Sequence, residues 1–248
     1  IEEAQLADVK NFFFKHYTPC NAILVVAGAV KTDTIRALAE KWFGPIPAGT
    51  RYVRQLPQEP EQTEARRLEV EADVPLDALY KTWHMASRME RGYYVADVIT
   101  DILGGGASSR LYQRLVKEQQ LFSNIDCYHF GSLDAGLLTI EGKLVKGVTP
   151  EAGEAAVEAE LQQLMQEAVP EKELQKVINK TESTILFEDL SVMSRANSLA
   201  FYELLGDAQL MNEELEKYQS ITPQEVLETC RQLFRPQNSN TLYYRAKK

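Results

Sequence analysis

One short pattern occurs near each end of this chain, and it restricts the fold more than any other feature. Phe13-Phe14-Lys15-His16-Tyr17-Thr18-Pro19-Cys20-Asn21 and Cys230-Arg231-Gln232-Leu233-Phe234-Arg235-Pro236-Gln237-Asn238 both close an amphipathic helix with aromatic-x-Pro-x-Asn. Both lead into a segment of strand character. The preceding helices align too, Val9 with Val226 and Phe13 with Cys230. Pro and Asn favour turns anyway, but a shared helix register and a shared following strand argue for duplication. A duplicated chain would hold one complete domain, residues 66–248, and only the tail of another, residues 1–44. The rest of the first copy is then expected before Ile1.

The local patterns fit that division. Leu6, Val9 and Phe13 share a face of a helix over 5–17, which Pro19 stops. Ile23 to Ala27 is a continuous apolar run, expected of a strand covered on both faces. A helix follows from Thr32 or Asp33, either of which can cap it, with Ile35, Leu38, Ala39 and Trp42 on one side and Gly44-Pro45 at its end. Pro45, Pro47, Pro57 and Pro60 resist both helix and central strand, so 45–65 reads as a linker.

Beyond the linker the elements alternate. Strands are expected around Leu68, Val70 and Ala72 and at 78–86, then a helix at 90–103. Gly104-Gly105-Gly106 breaks that helix, and Ser108 or Ser109 can cap the next, which carries Leu111 and Leu115. Strands at 122–130 and 137–145 form a hairpin turned by Ser132 to Gly136, with Leu138, Ile140 and Leu144 on one face. Thr149-Pro150 opens a helix, a long helical stretch runs from Glu171 to Leu205 with a bend near Leu190, and Thr222-Pro223-Gln224-Glu225 is a capping box. A strand at 240–245 ends the chain. Helices mixed with an antiparallel-containing sheet make this α+β, with 66–248 a complete two-layer domain.

Composition excludes more than it identifies. The net charge is −9 and the cations are scattered, so no nucleic-acid footprint exists. No apolar run reaches the eighteen or so residues of a membrane span. Cys20, Cys127 and Cys230 form neither a C-x-x-C pair nor an even disulfide set. The chain opens on Ile1 rather than Met, as a processed or trimmed start would, which leaves periplasm and cytoplasm equally open. The glycines lack Gly-Lys-Ser/Thr and G-x-G-x-x-G, so they read as a turn and not a phosphate cradle. No G-x-S-x-G elbow makes Ser108 or Ser109 a nucleophile. Alternation puts Asp126 on the opposite face from His129, and His84 beside Trp83 reads as a packed strand histidine.

Tyr17-Thr18-Pro19-x-Asn21, Leu24-Val25-Val26-Ala27-Gly28 and Trp42-Phe43-Gly44 together resemble a segment of the insulinase/pitrilysin family of zinc metallopeptidases. So does Leu103-Gly104-Gly105-Gly106-Ala107-Ser108-Ser109-Arg110-Leu111-Tyr112-Gln113, the most specific of the matches, and so does the closing Tyr218-Gln219-Ser220-Ile221-Thr222-Pro223 with its helix and strand. The resemblance implies a clamshell of four related α+β domains enclosing peptides or unfolded segments. It implies zinc, held in one half by H-x-x-E-H and a downstream Glu, with the motif's Glu as general base.

The chain departs from that pattern in two ways. Its histidines, His16, His84 and His129, cannot form H-x-x-E-H, so no catalytic or metal-binding residue is assigned within 1–248, no zinc is expected on this fragment, and the fragment alone is expected to be inactive. The family's substrate-binding Arg and Tyr fall on Val116 and Ser123 when Leu115 and Gln119 are aligned to the pattern Leu-Arg-x-x-Gln-x-x-x-Tyr. The chain therefore reads as the C-terminal part of a zinc-bearing half, paired with a homologous subunit that carries the Arg/Tyr pair. The alternative is a non-catalytic scaffold, like the core proteins of the respiratory cytochrome bc1 complex. An upstream H-x-x-E-H discriminates the two.

Overall fold

The computed structural model describes residues 2–57, 59–131 and 133–247. Ser132 of the expected hairpin turn lies outside them, as do Ile1, Gln58 and Lys248 of the expected domain and linker ranges. The chain divides into two compact units, one of Ile1–Pro60 with Ile185–Glu213, the other of Glu61–Thr184 with Glu214–Lys248.

The larger unit is built on a five-stranded mixed sheet. Its strands are β1 (Arg66–Ala72), β2 (Ala78–Met85), β3 (Phe122–Phe130), β4 (Gly136–Leu144) and β5 (Ser239–Ala246), in the spatial order β1-β5-β2-β4-β3. Only β1 and β5 run parallel; the remaining neighbours are antiparallel. The chain's last strand therefore lies between its first two, which closes the unit.

Alternation decides the two faces of the sheet. Leu79, Trp83, Leu138, Ile140 and Leu144 point one way and are all but inaccessible to solvent. Against them pack α3 (Arg91–Gly104), α4 (Pro150–Gln166) and α8 (Pro223–Leu233), through Ile99, Leu103, Val157, Leu161 and Val226. Trp83 meets Phe234 edge to face, with ring centroids 5.0 Å apart. Each such side chain contributes about 1.5–3 kcal/mol by leaving water. Both expected caps form: Thr149 accepts from the Ala152 amide, and Thr222 with Glu225 closes a capping box at the start of α8.

The smaller unit holds α1 (Leu6–His16), α2 (Thr32–Phe43) and α6 (Val192–Leu205). The repeat survives here at the level of single bonds. Each helix of the pattern is followed by a 3-10 turn opened by proline, Pro19–Asn21 and Pro236–Asn238. Each turn ends in an asparagine whose side-chain amide donates to a carbonyl five residues back: Asn21 to His16 at 3.3 Å, Asn238 to Leu233 at 2.9 Å.

Five expectations need correction. Residues 22–28 are not a covered strand; they form no helix or strand, and Ile23, Leu24 and Val26 are 40%, 57% and 44% exposed. A β run needs neighbouring strands to satisfy its amides, and none of the described strands flanks it. The apolar face of α1 is likewise unburied, since α1 contains no buried residue. Neither Thr32 nor Asp33 caps α2: Lys31 occupies the cap position, without a side-chain bond. The stretch from Glu171 to Leu205 is interrupted near Leu190, where a bend was expected, by a full break into two helices, α5 (Glu171–Glu188) and α6. They are separated because Ser191 turns extended and its hydroxyl caps the Ser194 amide. Finally, neither Ser108 nor Ser109 caps the helix that follows. Chain that enters at Arg110 winds as a π-helix over Tyr112–Glu118, with no side-chain cap.

Candidate functional site

The glycine turn shows what its residues do. Gly104 belongs to the last turn of α3, and a Cβ there would overlap the backbone of Cys127, so its smallness lets α3 lie directly on β3. Gly106, at φ +94°, makes the left-handed turn that redirects the chain. Arg110 then forms a two-bond fork with Glu173 of α5, Nε to Oε1 at 3.0 Å and a terminal nitrogen to Oε2 at 2.7 Å. That bond and the adjacent negative charge hold the Arg110 pKa above its usual value. Lys176 donates to the Ser108 hydroxyl and carbonyl, and Lys180 to Asp101. The Ser109 hydroxyl is buried with no partner among the described residues. Gly104, Gly105, Gly106, Ser108, Ser109 and Arg110 thus fasten the sheet layer to α5.

Val116 and Ser123 flank the left-handed Gln120 (φ 53°). Val116 is half-buried on the π-helical turn. Ser123 sits where the β3–β4 register slips by one residue, its hydroxyl donating to the Lys143 carbonyl at 3.1 Å. Bulges of this kind re-aim side chains at sheet margins. Neither residue offers a guanidinium or a phenol.

Two polar clusters, one buried and one half-buried, lie on the helix side of the sheet. Lys81, an inward-facing strand residue, donates to Glu154 at 2.8 Å, and Arg67, Thr241 and Tyr243 converge on the same carboxylate. Burial alone would raise the Glu154 pKa. The bonds from Lys81 and Tyr243 and the Lys81 charge outweigh it and bring it down to about 2. In the second cluster, Asp97 of α3 accepts from Tyr218 at 2.7 Å and pairs with His129 at 2.9 Å. There too burial opposes the bonds from His129 and Tyr218, and the bonds win, lowering the Asp97 pKa. Sequence reasoning missed both clusters. The available signal was a lysine at a core-facing position of an alternating strand, which requires a carboxylate nearby.

These donors do not form a metal centre. His129 is committed to Asp97, His16 packs against Phe12 and Tyr52, and His84 lies on the other face of the sheet. Among the described residues no three His, Cys, Asp or Glu side chains gather as ligands. Zinc does not fit the residues present. Cys127 and Cys230 are buried thiols whose pKa burial drives upward, to about 12 for Cys230, which leaves them protonated and unreactive.

The opposite face of the sheet is different in kind. Tyr80, Thr82 and His84 of β2, Asp126, Tyr128 and Phe130 of β3, Leu137, Thr139 and Glu141 of β4, and Leu242 and Tyr244 of β5 point there. Most are half-buried or exposed: Phe130 is 67% and Leu137 37% accessible. Tyr128 donates to Glu141 at 2.9 Å, and Tyr80 stands directly across the ladder from Glu141. Burial, then the bond to Glu141, raises the Tyr128 pKa to about 12. This face carries aromatic side chains, the carboxylates Asp126 and Glu141, and the exposed Lys143.

The larger unit is a two-layer α+β unit with one sheet face that its helices leave uncovered, and among the described residues no three metal-ligating side chains gather. The comparisons agree. Residues 3–181 match the family described as "Peptidase M16 inactive domain". The chain is 26% identical over 228 residues to "Uncharacterized zinc protease YmxG" of Bacillus subtilis, covering 91% of this chain and 54% of that protein. It is 23% identical over 246 residues to "Zinc protease PqqE" of Helicobacter pylori, covering 98% and 55%. Among solved structures, a protease from Helicobacter pylori superposes with a TM-score of 0.88 at 22% identity, over 98% of this chain and 59% of that one. The peptidase M16 inactive domain from Pseudomonas fluorescens gives 0.83 at 17% identity, over 100% and 58%. The chain belongs to the peptidase M16 inactive-domain family. It spans about half the length of the curated relatives it matches.

Proposed function

We propose that this chain is a non-catalytic wall of the peptide-enclosing chamber of a zinc-dependent metalloendopeptidase. The supporting observation is the open sheet face, which carries tyrosines and carboxylates where the other face carries helices. In this reading zinc sits on an H-x-x-E-H motif outside residues 1–248, and this wall holds peptide or unfolded polypeptide and excludes water while the other domain cleaves. Residues 1–44 are the tail of the first of two related domains, 45–65 the linker and 66–248 the second domain. The bond-for-bond match of the Asn21 and Asn238 turns supports that division. Because Val116 and Ser123 supply neither Arg nor Tyr, a second homologous subunit carries that pair.

The test is to tag the protein at its chromosomal locus, purify it from its own host, and measure zinc content and chelator-sensitive cleavage of an unfolded polypeptide. Stoichiometric zinc with cleavage supports the reading. Purification without zinc or cleavage contradicts it and selects a scaffold subunit of the same fold.

A further inference from the structure

We propose that the larger unit binds a free α-amino acid with an apolar side chain, in the cavity between α4 and the π-helical turn, with the ammonium group on Glu160 and the carboxylate on Arg114. The cavity belongs to the helix layer, so this site stands or falls independently of the chamber-wall reading.

A cavity of about 260 Å³ opens between Arg114 on the π-helical turn and Glu160 and Gln163 on α4. Glu160 is the observation that points to a ligand. It is only 8% exposed, it lines the cavity, and it takes part in no hydrogen bond or ion pair among the described residues. A carboxylate taken out of water without a donor is costly. The other two acidic side chains buried among the described residues are both supplied: Glu154 by Lys81 and Tyr243, Glu214 by Arg88 and Tyr94.

The arginines of the cavity do not serve Glu160. Arg110 is committed to Glu173 through its two-bond fork, and Arg114 gives one terminal nitrogen to Glu118 at 3.1 Å. Burial raises the Glu160 pKa against the charges of Arg114 and Arg110, so neither compensates it. Arg114 in turn keeps Nε and its other terminal nitrogen without a bond among the described residues. One cavity therefore presents an unpaired acceptor and an unpaired donor edge that do not reach each other.

That combination selects a zwitterion. A simple cation would leave Arg114 unmet, and a simple anion would face Glu160. An α-amino acid carries both charges on one carbon, so each enters the cavity with a partner of opposite sign. Gln163 and Glu167, three and seven residues beyond Glu160, follow the same side of α4 and offer acceptors to the remaining ammonium protons. Ala168 and Pro170 give the side chain an apolar wall. The π-helical winding that carries Arg114 recurs at functional sites.

The test is titration calorimetry of the whole chain with L-leucine and with two analogues that each lack one charge, leucinamide and N-acetyl-leucine. Leucine is expected to bind, and each analogue about tenfold more weakly, because each leaves one group of the site unpaired. Glu160→Gln and Arg114→Gln should each weaken leucine binding about tenfold. Neither should lower the melting temperature, since Glu160 has no partner to lose and the Arg114–Glu118 pair is exposed. Leucyl-leucine, which holds its two charges a residue further apart, should bind more weakly than leucine. Absence of leucine binding up to about 10 mM overturns the proposal. Equal binding of leucine and both analogues, variants that bind leucine unchanged, or tighter binding of leucyl-leucine overturns it as well.

Discussion

Lys81 and Glu154 meet at 2.8 Å between the sheet and α4, both almost wholly buried, and Arg67, Thr241 and Tyr243 close on the same carboxylate. Removing one partner strands the other charge in a low-dielectric layer. Lys81→Met is expected to cost about 3 kcal/mol in urea unfolding. Lys81→Met combined with Glu154→Leu should cost less than Lys81→Met alone, because the charges then left behind, on Arg67 and Glu158, are exposed to water. A larger loss in the double variant would mean that the network is net stabilising.

The same carboxylate sets a pH dependence. A group whose folded pKa is depressed adds stability above its unfolded value and loses it as pH falls toward the folded value. For Glu154 that window runs from 4.5, the ordinary value, down to about 2. Asp97, also lowered, acts in the same direction. Stability of the larger unit should therefore drop steadily between about pH 5 and pH 2. Glu154→Gln should flatten the slope, and an unchanged slope would remove Glu154 from the account.

Gly104 and Gly106 should respond differently to alanine. At Gly104 the added methyl meets Cys127 backbone that cannot give, so α3 and β3 must separate, at a cost of about 3 kcal/mol or loss of folding. At Gly106 the space is open and only the positive φ is penalised, by about 1 kcal/mol. Thermal melts of the two variants side by side check the order; equal costs would contradict it.

The contrast between the two halves of the repeat shows what a sequence can convey. Thr222-Pro223-Gln224-Glu225, the alternation of β4 and the Pro-x-Asn turns were readable because each is fixed by local geometry. The run at 22–28 was misread because a strand's state depends on its neighbours, and its composition carries no record of whether they are present. Glu154 and Asp97 were invisible for a related reason. Each joins residues more than thirty positions apart, brought together only by packing. The open face was half-legible: alternation assigned Asp126 and His129 to opposite sides, but not which side the helices would leave uncovered.

Irregular chain at 45–57 offers the easiest entry to a protease, with the exposed residues Arg51 and Arg54 outside any helix or strand. Brief trypsin digestion should cut there before it cuts at Arg67, Lys81 or Arg110, as mass spectrometry of the first fragments will show. Early cleavage within β1 or β2 would contradict the packing described.

The central claim is that polypeptide lies against the open sheet face, and photo-cross-linking tests it most directly. Protein purified from its host and treated with a chelator would be mixed with an unfolded peptide bearing a photoreactive residue, irradiated and mapped by mass spectrometry. The account predicts adducts on Tyr80, Tyr128 and Phe130. Adducts confined to the outward surfaces of α4 and α8, or none at all, would contradict it.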